Sequence, residues 1–129
     1  MSQSDVSTQN FAVWFEIPTL DFQRAIAFYQ DIFQCQLHQE DMGPMRLAVF
    51  PYAGKAVSGA LVSGAGMTPS ADGCVVYLNA GPDLSVVLGR AQSQGCTVLV
   101  GKTKISDDIG YFAQFIDCEG NRIGIHSLH

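Results

Sequence analysis

The chain has 129 residues, 47% of them apolar and 15% charged, with a formal net charge of −5. That length suits one domain with an adequate core and makes two independent domains of about 60 residues marginal. The acidic balance argues against a nucleic-acid partner, which needs a positive patch, and points to a small molecule, a protein surface or a cation. No apolar run reaches the roughly 20 residues of a membrane helix. Met1 to Asn10 has neither the basic nor the apolar region of a signal peptide, so no membrane partner and a cytoplasmic setting are expected. Cys35, Cys74, Cys96 and Cys118 stand singly, without a C-x-x-C pair, and read as reduced structural thiols rather than zinc ligands.

Residues 1–10 read as a disordered polar leader. Phe11 to Pro18 has strand composition, with Phe15 and Ile17 on one face and Trp14 and Glu16 on the other. Asp21 is placed to cap a helix over Phe22 to Phe33. In that helix Phe22, Ala25, Ile26, Tyr29 and Phe33 form an apolar stripe, expected to cover the Phe15 and Ile17 face. Three extended runs follow, Cys35 to Asp41, Met45 to Tyr52 and Ala56 to Ser63, punctuated at Gly43-Pro44 and Gly54-Lys55. Gly64 to Asp72 is rich in small and polar residues and reads as a connector.

The order then returns. Cys74 to Asn79 reads as a strand and Asp83 to Gln94 as a helix stopped by Gly95. Strands Cys96 to Gly101, Gly110 to Asp117 and Asn121 to Ser127 complete it. Asp21 and Asp83 lie close to half the chain apart, which identifies two copies of one β–α–β–β–β module. Module one is 11–63, the connector 64–72 and module two 73–129, within a single domain 11–129. The turn Asp117-Cys118-Glu119-Gly120-Asn121 suits a type I turn with Gly120 in the left-handed region. It pairs Gln114 with Gly124 and Phe112 with His126, in a register that a one-residue slip would invert.

The D-x-x-R-A-x-x-F-Y run from Asp21 to Tyr29 and the D-x-E-G-N run from Asp117 to Asn121 together resemble the vicinal oxygen chelate superfamily. That superfamily includes glyoxalase I, bleomycin-resistance proteins and extradiol dioxygenases. The resemblance covers about residues 11 to 128. It implies an α+β fold in which two βαβββ modules form an open eight-stranded cup with the helices outside, a ligand in the cup, and a homodimer. It also implies four metal-ligand positions, which fall on Trp14, Gly59, Val75 and Gly124. None of these side chains ligates a divalent ion, so no metal and no other cofactor is expected.

By strand parity Trp14, Glu16, Tyr77, Asn79, Phe112, Gln114 and His126 share the inner face. The repeat matches Phe50 to Phe112 and so brings Arg46 and Ala48 to that face as well. The expected protein binds a small molecule between Trp14, Phe50, Tyr77, Phe112 and His126, an aromatic pocket with few polar groups. In a catalytic version Glu16 moves a proton while Arg46 or Gln114 steadies an oxyanion, as in a lyase or isomerase. Glu16 equally fits an anchor for a cationic ligand or an ion pair with Arg46. Two other classes stay open: a metal lyase or dioxygenase with unusual ligands such as Glu16 and His126, and a non-catalytic regulatory or partner-binding module whose cup is filled by side chains.

Overall fold

The computed structural model describes residues 10–129; the expected leader, residues 1–10, lies outside the described residues except for Asn10. The elements are β1 (Trp14–Pro18), α1 (Phe22–Phe33), β2 (His38–Met42), β3 (Met45–Val49), β4 (Ser58–Ser63), β5 (Tyr77–Asn79), α2 (Leu84–Ser93), β6 (Val98–Ser106), β7 (Gly110–Ile116) and β8 (Arg122–Ser127). The βαβββ order occurs twice, as the repeat implies. Both helices start at the aspartates that the sequence marks: Asp21 accepts from the Arg24 N–H at 3.2 Å and Asp83 from the Ser85 N–H at 2.9 Å. These acceptors satisfy donors that the first helical turn leaves free.

The strands form two four-stranded sheets, ordered β1-β4-β3-β2 and β5-β8-β7-β6. In each, the first and last strands of the module run parallel and the other pairs are antiparallel. The cup is open, and among the described residues no ladder joins the two sheets into one. The β7–β8 register is the expected one, with Gln114 opposite Gly124 and Phe112 opposite His126. Gly120 closes the turn at φ +91.

Both sheets turn one face to a shared core. Ile17, Ala48 and Leu61 from the first sheet meet Leu78, Ala113, Phe115 and Ile125 from the second, beneath Tyr29 and Ile32 of α1 and Leu84 and Val87 of α2. Each of the Ile, Leu, Val and Phe side chains among them contributes about 1.5–3 kcal/mol on leaving water. The opposite faces lie away from the helices and form the concave side.

The two motifs meet as a clasp between the modules. The buried Asp117 carboxylate accepts from the Tyr29 hydroxyl at 2.6 Å, from the Glu119 and Asn121 N–H groups at 2.8 and 2.9 Å, and from Asn121 Nδ2 at 3.2 Å. Asn121 Nδ2 also donates to the Pro18 carbonyl at 2.9 Å. The Glu119 carboxylate accepts from the Leu20 and Asp21 N–H groups, and the Arg24 guanidinium donates to the Cys118 carbonyl. Glu119 thus places a negative charge at the N-terminal end of α1, where the helix dipole favours it. The motif residues hold β1 and α1 of one module to the β7–β8 turn of the other.

Candidate functional site on the concave side

In the second sheet, Tyr77 pairs with Gly124, Asn79 with His126, Phe112 with His126 and Gln114 with Gly124. Residues paired across a ladder share a face, and the alternate positions Leu78, Ala113 and Ile125 are in the core. Tyr77, Asn79, Phe112, Gln114, Gly124 and His126 therefore all lie on the concave side, as the parity of the sequence requires.

The first sheet departs from expectation. Trp14 and Glu16 are concave, but Ala48 pairs with Leu61 in the core. Arg46 lies over the Phe22 ring of α1, 4.5 Å from its centroid. Phe50 packs on Phe15 and edge-on to Tyr29. Arg46, Ala48 and Phe50 thus face the helices and are not gathered with Glu16. The alignment of Phe50 with Phe112 is out of register by three residues, since Leu47 is the counterpart of Phe112, and an odd slip reverses every side chain of a strand. Val49, not Phe50, pairs with Ala60 on the concave face.

The ligand position carried onto Gly59 is separately off by one residue. Gly59 pairs with Phe15 on the helix side, while Ala60 pairs with Glu16 and is the counterpart of Gly124 opposite Tyr77. Neither glycine leaves an open space. A methyl group at Gly59 would collide with the Phe15 ring, and one at Gly124 with the Tyr77 ring. Trp14, Ala60, Val75 and Gly124 offer no imidazole or carboxylate, so these positions do not fit the superfamily's cation. Among the described residues no cluster of three or more His, Cys, Asp or Glu is arranged to hold a metal.

Glu16 is exposed, and its only side-chain partner among the described residues is the Trp14 indole N–H at 3.4 Å. It is neither walled in by Phe50 and Phe112 nor paired with Arg46. Trp14, Glu16, Pro18, Thr68, Asp72 and Arg122 line a cleft of about 550 Å³ between β1, the connector and the start of β8. A second hollow of about 330 Å³ lies on the other sheet, lined by Tyr77, Ile105, Phe112 and His126. Further along the first sheet, Met67 of the connector packs on Leu47, Ala60 and Val62 and closes that part of the floor.

Arg122 was not singled out from the sequence. It stands two residues before Gly124 on the same strand, so the parity that selected His126 also selects it. Its guanidinium donates to Gln114 Oε1 at 3.1 Å and to the Ala71 carbonyl at 3.3 Å. Gln114 Nε2 in turn donates to the Tyr77 hydroxyl oxygen at 2.5 Å. No carboxylate stands within ion-pair distance of Arg122 among the described residues. The concave side therefore presents an unneutralised guanidinium, an exposed carboxylate and two aromatic walls. Of the thiols, the exposed Cys74 lines the cleft beside Trp14 and Arg122, whereas Cys35, Cys96 and Cys118 are half-buried, and all four are free. Burial, aided by nearby Asp117, pushes Cys96 up to about 11 and Cys118 up to about 12, which keeps them protonated and unreactive.

Paired βαβββ modules with an open concave side are the architecture of the vicinal oxygen chelate fold, and this chain has that fold. A glyoxylase/bleomycin resistance protein/dioxygenase domain from Frankia superposes with a TM-score of 0.67 at 16% identity, over 98% of each chain. The antibiotic-binding protein TnmS3 from Streptomyces gives 0.62 at 22% identity, over 92% of this chain and 96% of that one. Glyoxalase I from Zea mays gives 0.62 at 16% identity over 90% of this chain, which spans 45% of the length of the maize protein. No protein-family profile and no curated protein sequence matches the chain.

Proposed function

We propose that this protein binds a small organic molecule on its concave side, without a metal ion. The observation that carries this reading is the cleft of about 550 Å³ in which Trp14, Glu16 and Arg122 converge. Small-molecule sites are concave, largely apolar and equipped with a few fixed polar groups. Trp14 supplies a flat wall, Glu16 an acceptor and Arg122 a donor fork. The absence of ligating side chains at Trp14, Ala60, Val75 and Gly124 supports metal independence. The similarity to an antibiotic-binding protein supports sequestration over turnover, and Glu16 is the residue to test for proton transfer. Exposed Trp14, Tyr77 and Ile105 on the concave side, with β2 and β6 as free sheet edges, support a homodimer.

Trp14 is the only tryptophan in the chain, so its fluorescence reports on the cleft directly. Titration with a panel of flat aromatic compounds should quench or shift that emission saturably, and Arg122→Met should weaken the response. Native mass spectrometry of the freshly purified protein should show two subunits without stoichiometric metal. A tightly bound metal ion would overturn the metal-free reading, and a panel with no saturable response would overturn the binding reading.

A further inference from the structure

The row Arg122–Gln114–Tyr77 has a direction that follows from its chemistry. A guanidinium has only donors, so Gln114 presents Oε1 to Arg122 and its amide N–H to Tyr77. The Tyr77 oxygen therefore accepts, and its own proton is not consumed in that bond. No acceptor for the Tyr77 hydroxyl occurs among the described residues. The positive charge behind Gln114 polarises the amide, and a chain of hydrogen bonds strengthens the donor at its far end. The ring is held in place by packing: it lies against Gly124 and meets Phe112 edge-on, with 6.2 Å between centroids. Beside it lies the hollow lined by Ile105, Phe112 and His126, whose walls are mostly apolar. His126 is engaged through Nε2 with the Ile109 carbonyl at 2.5 Å.

We propose that Arg122 and Gln114 fix the Tyr77 hydroxyl as a donor aimed at the concave side, where it receives the anionic oxygen of an aromatic carboxylate whose rings fill the adjoining hollow. This inference rests on the concave side being a ligand surface and adds the chemical class of the ligand. The relay supplies a positive end to a chain of otherwise negative balance, which by itself would repel anions. Gly124 is required because any larger residue displaces the Tyr77 ring from this position.

The test uses 2-naphthoate and its neutral counterpart 2-naphthamide, titrated into the full-length protein and followed by calorimetry and by the ¹³Cζ resonance of Tyr77. The wild type should bind naphthoate more tightly than naphthamide and shift the Tyr77 resonance. Gln114→Glu keeps the shape but accepts from both neighbours, turning the Tyr77 proton inward. It should lower naphthoate affinity about tenfold or more while naphthamide changes little. Tyr77→Phe removes the donor without a change of charge and should lower naphthoate affinity to a similar extent. Equal affinity of the wild type for both probes, or naphthoate affinity unchanged in either variant, overturns the relay while leaving the concave ligand surface in place. If neither probe binds, the carboxylate class falls, and the Trp14 titration separately decides whether the surface binds ligands at all.

Discussion

Replacing Tyr29 with Phe isolates one bond of the inter-module clasp. Tyr29 is fully buried, and its ring packs edge-on against Phe28 and Phe50 and parallel to Phe33. The variant keeps these contacts and removes only the hydroxyl that donates to Asp117 Oδ2 at 2.6 Å. That oxygen is left with Asn121 Nδ2 at 3.2 Å. A buried hydrogen bond to a charged group contributes about 1.5–3 kcal/mol, so a loss of about 2 kcal/mol is expected. For a domain of this size the midpoint should fall by about 6–10 °C, read by calorimetry at pH 7. Alkaline pH gives an independent check. Burial first, and Asp117 second, hold the Tyr29 phenol well above its ordinary value. Its share of stability is complete below the unfolded value near pH ~10 and is lost as pH rises beyond it. Wild-type stability should therefore decline more steeply above pH ~10 than that of Tyr29→Phe; Cys96 and Cys118 decline alike in both proteins. A midpoint change below about 2 °C, with parallel alkaline profiles, would refute the clasp.

Three further outcomes are expected. The Ser85 backbone N–H, with Lys102 second, draws the Asp83 carboxyl down to about 2, so its contribution is present above its unfolded value near pH ~4 and lost as pH falls toward 2. Asp83→Ser retains a cap acceptor and should flatten that part of the acid unfolding profile; an unchanged slope counts against the assignment. Gly124→Ala should displace the Tyr77 ring and break its bond with Gln114, seen as a changed Tyr77 environment by NMR; an unchanged spectrum contradicts the close approach. Arg46→Ala should cost about 0.5–1 kcal/mol through its contact with Phe22 and leave the Trp14 titration unaltered, whereas weakened ligand response would return Arg46 to the site.

Much of the second module's concave face was legible because its hairpin is short and its turn is specified. Asp117 to Asn121 sets the β7–β8 register, and parity then places Phe112, Gln114, Gly124 and His126 without further information. The first module lacks such a marker. Its β3–β4 connection from Phe50 to Val57 is longer, so matching Phe50 to Phe112 introduced an odd slip that moved Arg46, Ala48 and Phe50 to the wrong face, and the ligand position carried onto Gly59 missed Ala60 by one residue. Arg122 lies two residues before Gly124 and was accessible to the same parity argument, but its bond to Gln114 crosses between two strands and is not written in either one alone.

The sequence by itself determined the repeat, the two capped helices and the second hairpin, because caps, periodicity and turn residues act over a few positions along the chain. Only the tertiary structure decided that Asp117, Glu119 and Tyr29 clasp the modules together, that Tyr77 fills the space over Gly124, and that Arg122 stands behind Gln114. These depend on contacts between residues far apart in the chain, where a shift of one residue in a single ladder exchanges the core for the concave surface.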